Sequence, residues 1–332
     1  SSAGGREPRL GAGTDGPPGM TNLFEDLIGQ PLAVDLLTAA LKQQRLAPAY
    51  LFAGPDGVGR RLAALRFLEG VLGAGQPAER QRRRLEERNH PDLLWVEPTF
   101  QHQGRLLTRE EADEAGISRR TPPQLRLEQV RSISRFLARQ PVEAERGMVV
   151  IEAVEAMPEA AANALLKTLE EPGHGLLILL SAAPDRLLST IRSRCQLIRF
   201  LRLALADLNR VLEGCGALEQ DPPELLAMAA GSPGALLEHR RQQAGLPEEL
   251  TARLASMPDQ PMEALALARD VCEALDGEQQ LWLINWWQQQ LWARGAGDRP
   301  LQRLETLRRQ LLSFVQPRLA WEVALLELTT GG

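Results

Sequence analysis

Tyr50-Leu51-Phe52-Ala53-Gly54-Pro55-Asp56-Gly57-Val58-Gly59-Arg60-Arg61 is the stretch that decides the fold. A short apolar run enters a glycine-rich turn, and helical periodicity follows to about Leu72. Strand, glycine loop and helix in that order form the context a phosphate-binding loop requires, and Gly54 and Gly59 keep its G-x-x-x-x-G spacing. The lysine and Ser/Thr that should follow are replaced by Arg60 and Arg61. In a working loop the lysine reaches the β/γ-phosphates and the hydroxyl binds Mg²⁺. Arg60 keeps a positive charge on a bulkier, planar group, and Arg61 has no hydroxyl to offer a metal. Gly54, Gly57, Gly59, Arg60 and Arg61 are therefore candidates for a degenerate nucleotide site.

Working outward, residues 24–46 read as a loop and an amphipathic helix, with Val34, Leu37 and Leu41 at helical spacing. Residues 73–88 are polar and include Arg80-Gln81-Arg82-Arg83-Arg84. Glu79, Glu86 and Glu87 are interspersed with these arginines, so a solvated helix face is favoured over a nucleic-acid contact. Residues 92–97 form a second strand, introduced by Asn89-His90-Pro91 with His90 as a structural loop residue. Residues 99–123 read as an exposed insertion. Leu127, Val130, Ile133 and Leu137 mark a helix over 125–139. The runs 148–151 and 176–180 are continuously apolar, as in buried parallel strands. Between them Pro158 opens a helix lined by Ala162, Leu165, Leu166 and Leu169, which Pro172 ends. Strands alternating with helices predict a parallel α/β sheet. After about Phe200 the remaining pattern is all helical.

The 332 residues suffice for two or three domains. A net charge of −5 argues against a chain that wraps nucleic acid alone. Cys195, Cys215 and Cys272 are too dispersed for a disulfide framework or a zinc site, and imply reduced thiols in a cytoplasmic protein. No apolar run is long enough for a membrane span and no signal-peptide pattern is present. Residues 1–19, rich in Gly and Pro, are expected to be disordered, with Met20 opening the folded protein. Trp282, Trp286, Trp287, Trp292 and Trp321 lie in the C-terminal third, either as a helical core or as an oligomer interface.

Four motifs now stand in order. They are Phe24-Glu25-Asp26-Leu27-Ile28-Gly29-Gln30, the glycine loop, Ala160-Ala161-Ala162-Asn163-Ala164-Leu165-Leu166-Lys167-Thr168-Leu169-Glu170-Glu171-Pro172, and Ile191-Arg192-Ser193-Arg194-Cys195. In these the chain resembles the delta-prime family of bacterial clamp-loader subunits, part of the DNA polymerase III holoenzyme and of the AAA+ class. The resemblance implies an AAA+ P-loop parallel-sheet core over 20–203, a small helical lid over 204–242 and an all-α collar over 243–332. It also implies a hetero-oligomer with motor subunits and a delta-type subunit, acting indirectly on a sliding clamp and, through the assembly, on primed DNA, with no membrane.

Against an active member of the class, the Asp-Glu pair after the 148–151 strand is Glu152-Ala153. Glu152 completes the candidate nucleotide-site set, whereas Ala153 cannot polarise water, and Glu155 points elsewhere unless the backbone bends. The polar sensor is reduced to Ser181-Ala182, and the lid's sensor arginine is missing from Gly231-Ser232-Pro233-Gly234. Phosphoryl transfer needs charge stabilisation, metal placement and an oriented nucleophile together. The expectation is a subunit without intrinsic ATPase inside a DNA-directed DNA polymerase (nucleotidyltransferase) holoenzyme. No cofactor is required, and ATP binding without turnover is left open. The four-cysteine zinc module of many relatives has no counterpart in 73–89, so no zinc or other metal is expected. Arg194 is the candidate arginine finger, supplied in trans to a neighbour's ATP site; the bland alternative is a salt bridge inside its own domain. Cys195 is a packing residue. The rival functions are an active motor-type ATPase with Arg60 in place of lysine, and a AAA+ adaptor of another system.

Overall fold

Five consecutive buried residues, Ala49–Ala53 (β1), need apolar cover on both faces, which a parallel sheet clad by helices supplies. The computed structural model describes residues 23–73, 75, 77–117, 121–313 and 315–330; the expected disordered stretch 1–19 and the start at Met20 lie outside them. Its other strands are β2 (Leu93–Val96), β3 (Phe100–His102), β4 (Arg105–Leu107), β5 (Met148–Ile151), β6 (Leu176–Ser181) and β7 (Gln196–Arg199). Among the described residues they make a five-stranded parallel sheet in the order β2-β5-β6-β1-β7 and a small antiparallel β3–β4 ribbon. β1 pairs with β6 from Ala49↔Leu177 to Ala53↔Ser181, and with β7 from Tyr50↔Gln196 to Ala53↔Arg199. The chain leaves β1 for the far edge at β2, so strand order reverses beside β1. Ligand crevices of open α/β sheets lie at the carboxyl ends of strands at such a point.

Alternation along the strands divides the core. Tyr50, Phe52, Val150 and Ile178 face the helices Pro31–Lys42 and Arg60–Leu72, where Tyr50 meets Phe67 edge-on at 5.0 Å. Leu51, Val149, Ile151 and Leu179 face the helices Leu127–Leu137 and Glu159–Glu170, against Val130, Ile133 and Leu165. Each fully buried Leu or Phe contributes about 1.5–3 kcal/mol. The edge is fastened by Asp92, whose carboxylate accepts from the backbone N–H groups of Val142, Glu143 and Ala144, each at 2.7 Å. Its carbonyl accepts from Met148 N at 2.8 Å, which sets β5 against β2. His90 is buried, and its Nδ1 accepts from Asp92 N at 3.1 Å; burial lowers its pKa.

The insertion after β2 is built, not loose. β3 and β4 turn through Gln103 and Gly104, both at positive φ, the conformation of a two-residue hairpin turn. A Thr108–Glu111 capping box then starts the helix Arg109–Glu114. From it Arg109 Nη1 reaches Glu278 Oε1 at 2.5 Å in the C-terminal region.

From Leu205 to Thr330 the described residues are helices and their connections. Trp282, Trp286, Trp287 and Trp321 are buried within this chain, and Trp292 is 69% exposed. The choice between core and interface thus resolves toward core for four of the five. Trp321 Nε1 donates to Gln280 Oε1 at 3.0 Å, and Trp282 Nε1 donates to His239 Nδ1 at 3.0 Å. The second bond ties the helix Pro233–Ala244 to the helix Gly277–Ala293 through a neutral imidazole, whose pKa burial lowers despite a hydrogen bond to the Met228 backbone.

Replacing Asp92 by Ala is expected to cost about 2–3 kcal/mol at pH 7, because buried donors lose a charged acceptor; urea denaturation measures it. Burial raises the Asp92 pKa, but its three backbone donors prevail and hold it below the ordinary 3.8. Its stabilisation is then complete above pH 3.8 and is lost as pH falls through the lower folded value. Asp92→Asn therefore flattens that part of the acid-unfolding profile. His239 has the same sign around its ordinary 6.5: stability present above that pH falls below it, and His239→Gln removes this component.

Candidate functional site

The glycine loop leaves the carboxyl end of β1, where Gly54 N donates to Ser181 O at 3.1 Å. Gly57 and Gly59 stand at φ +76° and +108°, backbone that glycine adopts without penalty. The helix Arg60–Leu72 starts at once, so the loop lies at the positive end of a helix dipole. The shape of a phosphate cradle is present.

The start of the helix Pro233–Ala244, with its cap Ser232, is seated on that cradle. Ser232 Oγ donates to Asp56 O at 2.5 Å, and Gly234 N donates to Gly57 O at 3.1 Å. Ser232 also caps the helix Pro233–Ala244, accepting from Ala235 N at 3.0 Å. The approach is close: a Cβ on Gly57 would stand 2.5 Å from Ser232 Oγ and 2.7 Å from Gly234 Cα. On the other side the buried Gln30 amide donates to Val58 O at 3.2 Å and Leu201 O at 2.7 Å, and accepts from Leu201 N at 2.9 Å. One side chain thus ties the opening box, the glycine loop and the segment after β7.

The two arginines have distinct fates. Arg60 is only 8% exposed, pairs through Nη2 with Asp56 Oδ1, and leaves Nε and Nη1 buried without hydrogen-bond partners. Arg61 crosses to the next motif, donating from Nη2 to Glu152 Oε2 at 2.5 Å. Glu152 Oε1 accepts from Trp95 Nε1 at 2.6 Å and from Arg88 Nη2 at 3.5 Å, and the Arg88 guanidinium lies 4.6 Å from the Trp95 ring centroid. The carboxylate after β5, where a metal-ordering acid belongs, is thus surrounded by two guanidinium groups and an indole N–H. This donor set does not fit Mg²⁺: a divalent cation would have to displace Arg61, and no hydroxyl replaces it.

Ala153 stands at φ 47°, ψ 53° and turns the chain into the 3₁₀ segment Val154–Ala156. The bend that the sequence left as a condition for Glu155 therefore exists. It carries the Glu155 carboxylate to Ala182 N at 3.2 Å, at the end of β6. Ser181 Oγ accepts from Ala183 N at 3.2 Å. Both sensor-side groups are bound to backbone.

Gly54, Gly57, Gly59, Arg60, Arg61 and Glu152 form one site; Arg194 belongs to another. It follows the short helix Ser189–Arg192 and precedes β7. Ile191 is fully buried on one side, and Cys195 packs against the same core on the other. Burial pushes the Cys195 thiol up to about 12, so it is a packing group and not a nucleophile. With its flanks anchored, Arg194 faces outward, 35% exposed. Its Nη1 donates to Thr190 O at 2.9 Å and its Nη2 to Glu170 Oε1 at 3.1 Å. The intradomain pair weighed from sequence is thus formed, on a guanidinium that still meets solvent.

Sequence reasoning did not single out Trp95 and Arg88 as partners of Glu152, or Glu170 as partner of Arg194. A signal for Trp95 existed: in the parallel register it pairs with Val150, and Glu152 lies two residues further along on the same face.

A family model described as DNA polymerase III, delta subunit, matches residues 29–204, and one described as cyanobacterial DNA polymerase III delta prime, C-terminal domain, matches residues 206–328. The chain belongs to the DNA polymerase III delta-prime family. DNA polymerase III subunit delta' of Bacillus subtilis is 32% identical over 177 residues, 52% of this chain and 47% of that protein. Its Pseudomonas aeruginosa counterpart is 37% identical over 199 residues, 56% and 54% of the two chains. The chain thus spans about half the length of these curated relatives. The crystal structure of a DNA polymerase III gamma subunit-related protein from Thermotoga maritima aligns with TM-score 0.52 over 90% of this chain and 98% of that one, at 18% identity. That likeness concerns the fold alone: a parallel-sheet core followed by an all-helical region.

Glu152→Ala leaves Arg61, Arg88 and Trp95 without their shared acceptor and is expected to cost about 1–3 kcal/mol. Arg61→Ala removes one largely exposed partner and is expected to cost no more than about 1 kcal/mol. Urea denaturation of the two variants checks this order.

Proposed function

We propose that this chain is a non-hydrolysing subunit of a DNA polymerase III clamp loader that supplies Arg194 in trans to the ATP site of a neighbouring motor subunit. The Arg61–Glu152 pair at 2.5 Å carries the first half of this reading. It sets a guanidinium where a bound metal ion would bring positive charge, and it uses the acid that would hold the metal. Ala153 has no group to orient water, and the lid occupies the face of the loop. Charge stabilisation, metal placement and nucleophile orientation are each impaired, and phosphoryl transfer needs all three. The same features disfavour an active ATPase with Arg60 in the lysine's place, and the family match disfavours an adaptor of another system.

The second half rests on Arg194, whose backbone is fixed by buried neighbours while its guanidinium meets solvent. Set against the γ-phosphate of a neighbour's ATP, it would stabilise charge that develops during transfer. The seated lid makes the core a rigid arm for that presentation. ATP binding by the motor subunits would then set the geometry in which the sliding clamp is held open and placed on primed DNA. At a net charge of −5, DNA contact comes from the assembly and not from this chain alone. The C-terminal helices would join a collar of subunits through surfaces such as Trp292, Leu319 and Val323, which remain exposed. No cofactor is needed for this role. The compartment is the cytoplasm, consistent with no described helix being long and apolar enough to cross a membrane.

The test mixes the chain with its cognate motor subunits and compares wild type with Arg194→Ala. Assembly by gel filtration should be unchanged, while turnover at the served ATP site falls by about 10³–10⁵; unchanged turnover overturns the finger. A thermal melt of the chain alone in millimolar Mg·ATP should not move, since a ligand stabilises only a state that it binds. A shift of several degrees would show a nucleotide site that still works.

A further inference from the structure

We propose that Glu170 is a positioning residue for Arg194, holding its guanidinium at the subunit surface in the orientation used toward the neighbour's phosphate. This rests on the reading of Arg194 as a finger in trans. Three observations converge on Glu170. Its Oε1 accepts from Arg194 Nη2 at 3.1 Å, while Thr190 O accepts from Nη1 at 2.9 Å. A guanidinium has five N–H donors in a rigid plane, so two contacts on different nitrogens fix that plane and leave three donors outside these two bonds.

Glu170 is also out of place for local stability. It is the last residue of the helix Glu159–Glu170, with Glu171 as the cap. Carboxylates at a helix C-terminus oppose the dipole, and this one is offset by a cation 24 residues away. The pair contributes little to folding, because the side chains of Arg194 and Glu170 are 35% and 46% exposed. A locally unfavourable acid that adds little to stability, aimed at the one arginine with an assigned task, is the pattern of a functional site.

The geometry also joins two motifs that are separate in the sequence. Glu170 lies two residues before the end of the Ala160–Pro172 stretch, and Arg194 is the centre of Ser193-Arg194-Cys195. The first supplies the carboxylate, the second the guanidinium and, through Ile191 and Cys195, its fixed backbone.

The experiment uses the clamp loader assembled with cognate motor subunits and reads the Arg194-dependent share of ATP turnover, taken as wild type minus Arg194→Ala. Glu170→Ala should lower that share about 3- to 30-fold, less than the 10²-fold that a 1 Å misplacement costs, with apparent KM for ATP within about twofold. Glu170→Gln keeps an acceptor oxygen and should recover most of the loss. Glu170→Ala/Arg194→Ala should be no slower than Arg194→Ala, since both substitutions act through one group. Thermal melting of the single variants should stay within about 2 °C of wild type, because the pair is exposed.

Glu170→Ala at the wild-type rate, with Arg194→Ala impaired, overturns the positioning role and keeps the finger. Glu170→Ala faster than wild type overturns it too, since Glu170 would then restrain Arg194. A double variant slower than Arg194→Ala shows that Glu170 acts through another group, which also overturns it. Arg194→Ala at the wild-type rate removes the finger and the positioning role together.

Discussion

The backbone bond from Gly234 to the Gly57 carbonyl is the constraint around which the core is organised. A phosphate loop offers inward-facing N–H groups to an anion, and in its absence those strands and helices have no common anchor at the carboxyl edge of the sheet. Here the anchor is protein. Ser232 and Gly234 meet the loop from the helix Pro233–Ala244 and its cap, Gln30 meets it from the opening box, and the sheet meets it through Gly54 and Ser181. Elements that nucleotide would otherwise hold together are joined by short-range hydrogen bonds within one chain.

Charge is distributed to match. Around Glu152 the acid and its guanidinium partners neutralise one another internally, with Glu152 itself mostly withdrawn from solvent. Arg194 is kept at the boundary with solvent, paired with Glu170, which is itself exposed. The two sites use the same chemistry, arginine against carboxylate, at different exposure. Exposure decides whether the pair closes a site or presents one.

Much of this architecture was legible in the chain. β1, β5 and β6 are continuous apolar runs because both sheet faces are covered, and the glycine loop is identified by its place between strand and helix. β7 escaped because it is an edge strand: Gln196, Leu197 and Arg199 are exposed, and no apolar run survives. The β3–β4 ribbon escaped because its strands are three residues each and Gln103 is not a residue that announces positive φ. The bend at Ala153 escaped for the same reason, and it decided where Glu155 went. In the site, the departures from the phosphate-loop and Asp-Glu patterns were readable, whereas the partners those positions find in the fold were not. Gly234 read as the lack of a sensor arginine; in the fold it is the residue small enough to touch the loop. Glu170 and Arg194 are 24 residues apart with no periodic relation, so only the packing of the Glu159–Glu170 helix beside the Ser189–Arg192 turn brings them together.

The Arg61–Glu152 pair also has a consequence for substitution. In a chain that carries arginine where the loop hydroxyl belongs, positions 61 and 153 answer to each other through Glu152. Restoring Thr at 61 alone strips Glu152 of its nearest cation without supplying a metal site, and restoring an acid at 153 alone adds a second negative charge beside the first. Either change alone meets surroundings suited to the present residues, and the modest cost expected for losing Arg61 is the size of that mismatch. The order in which positions 61 and 153 can change is thus set by one ion pair.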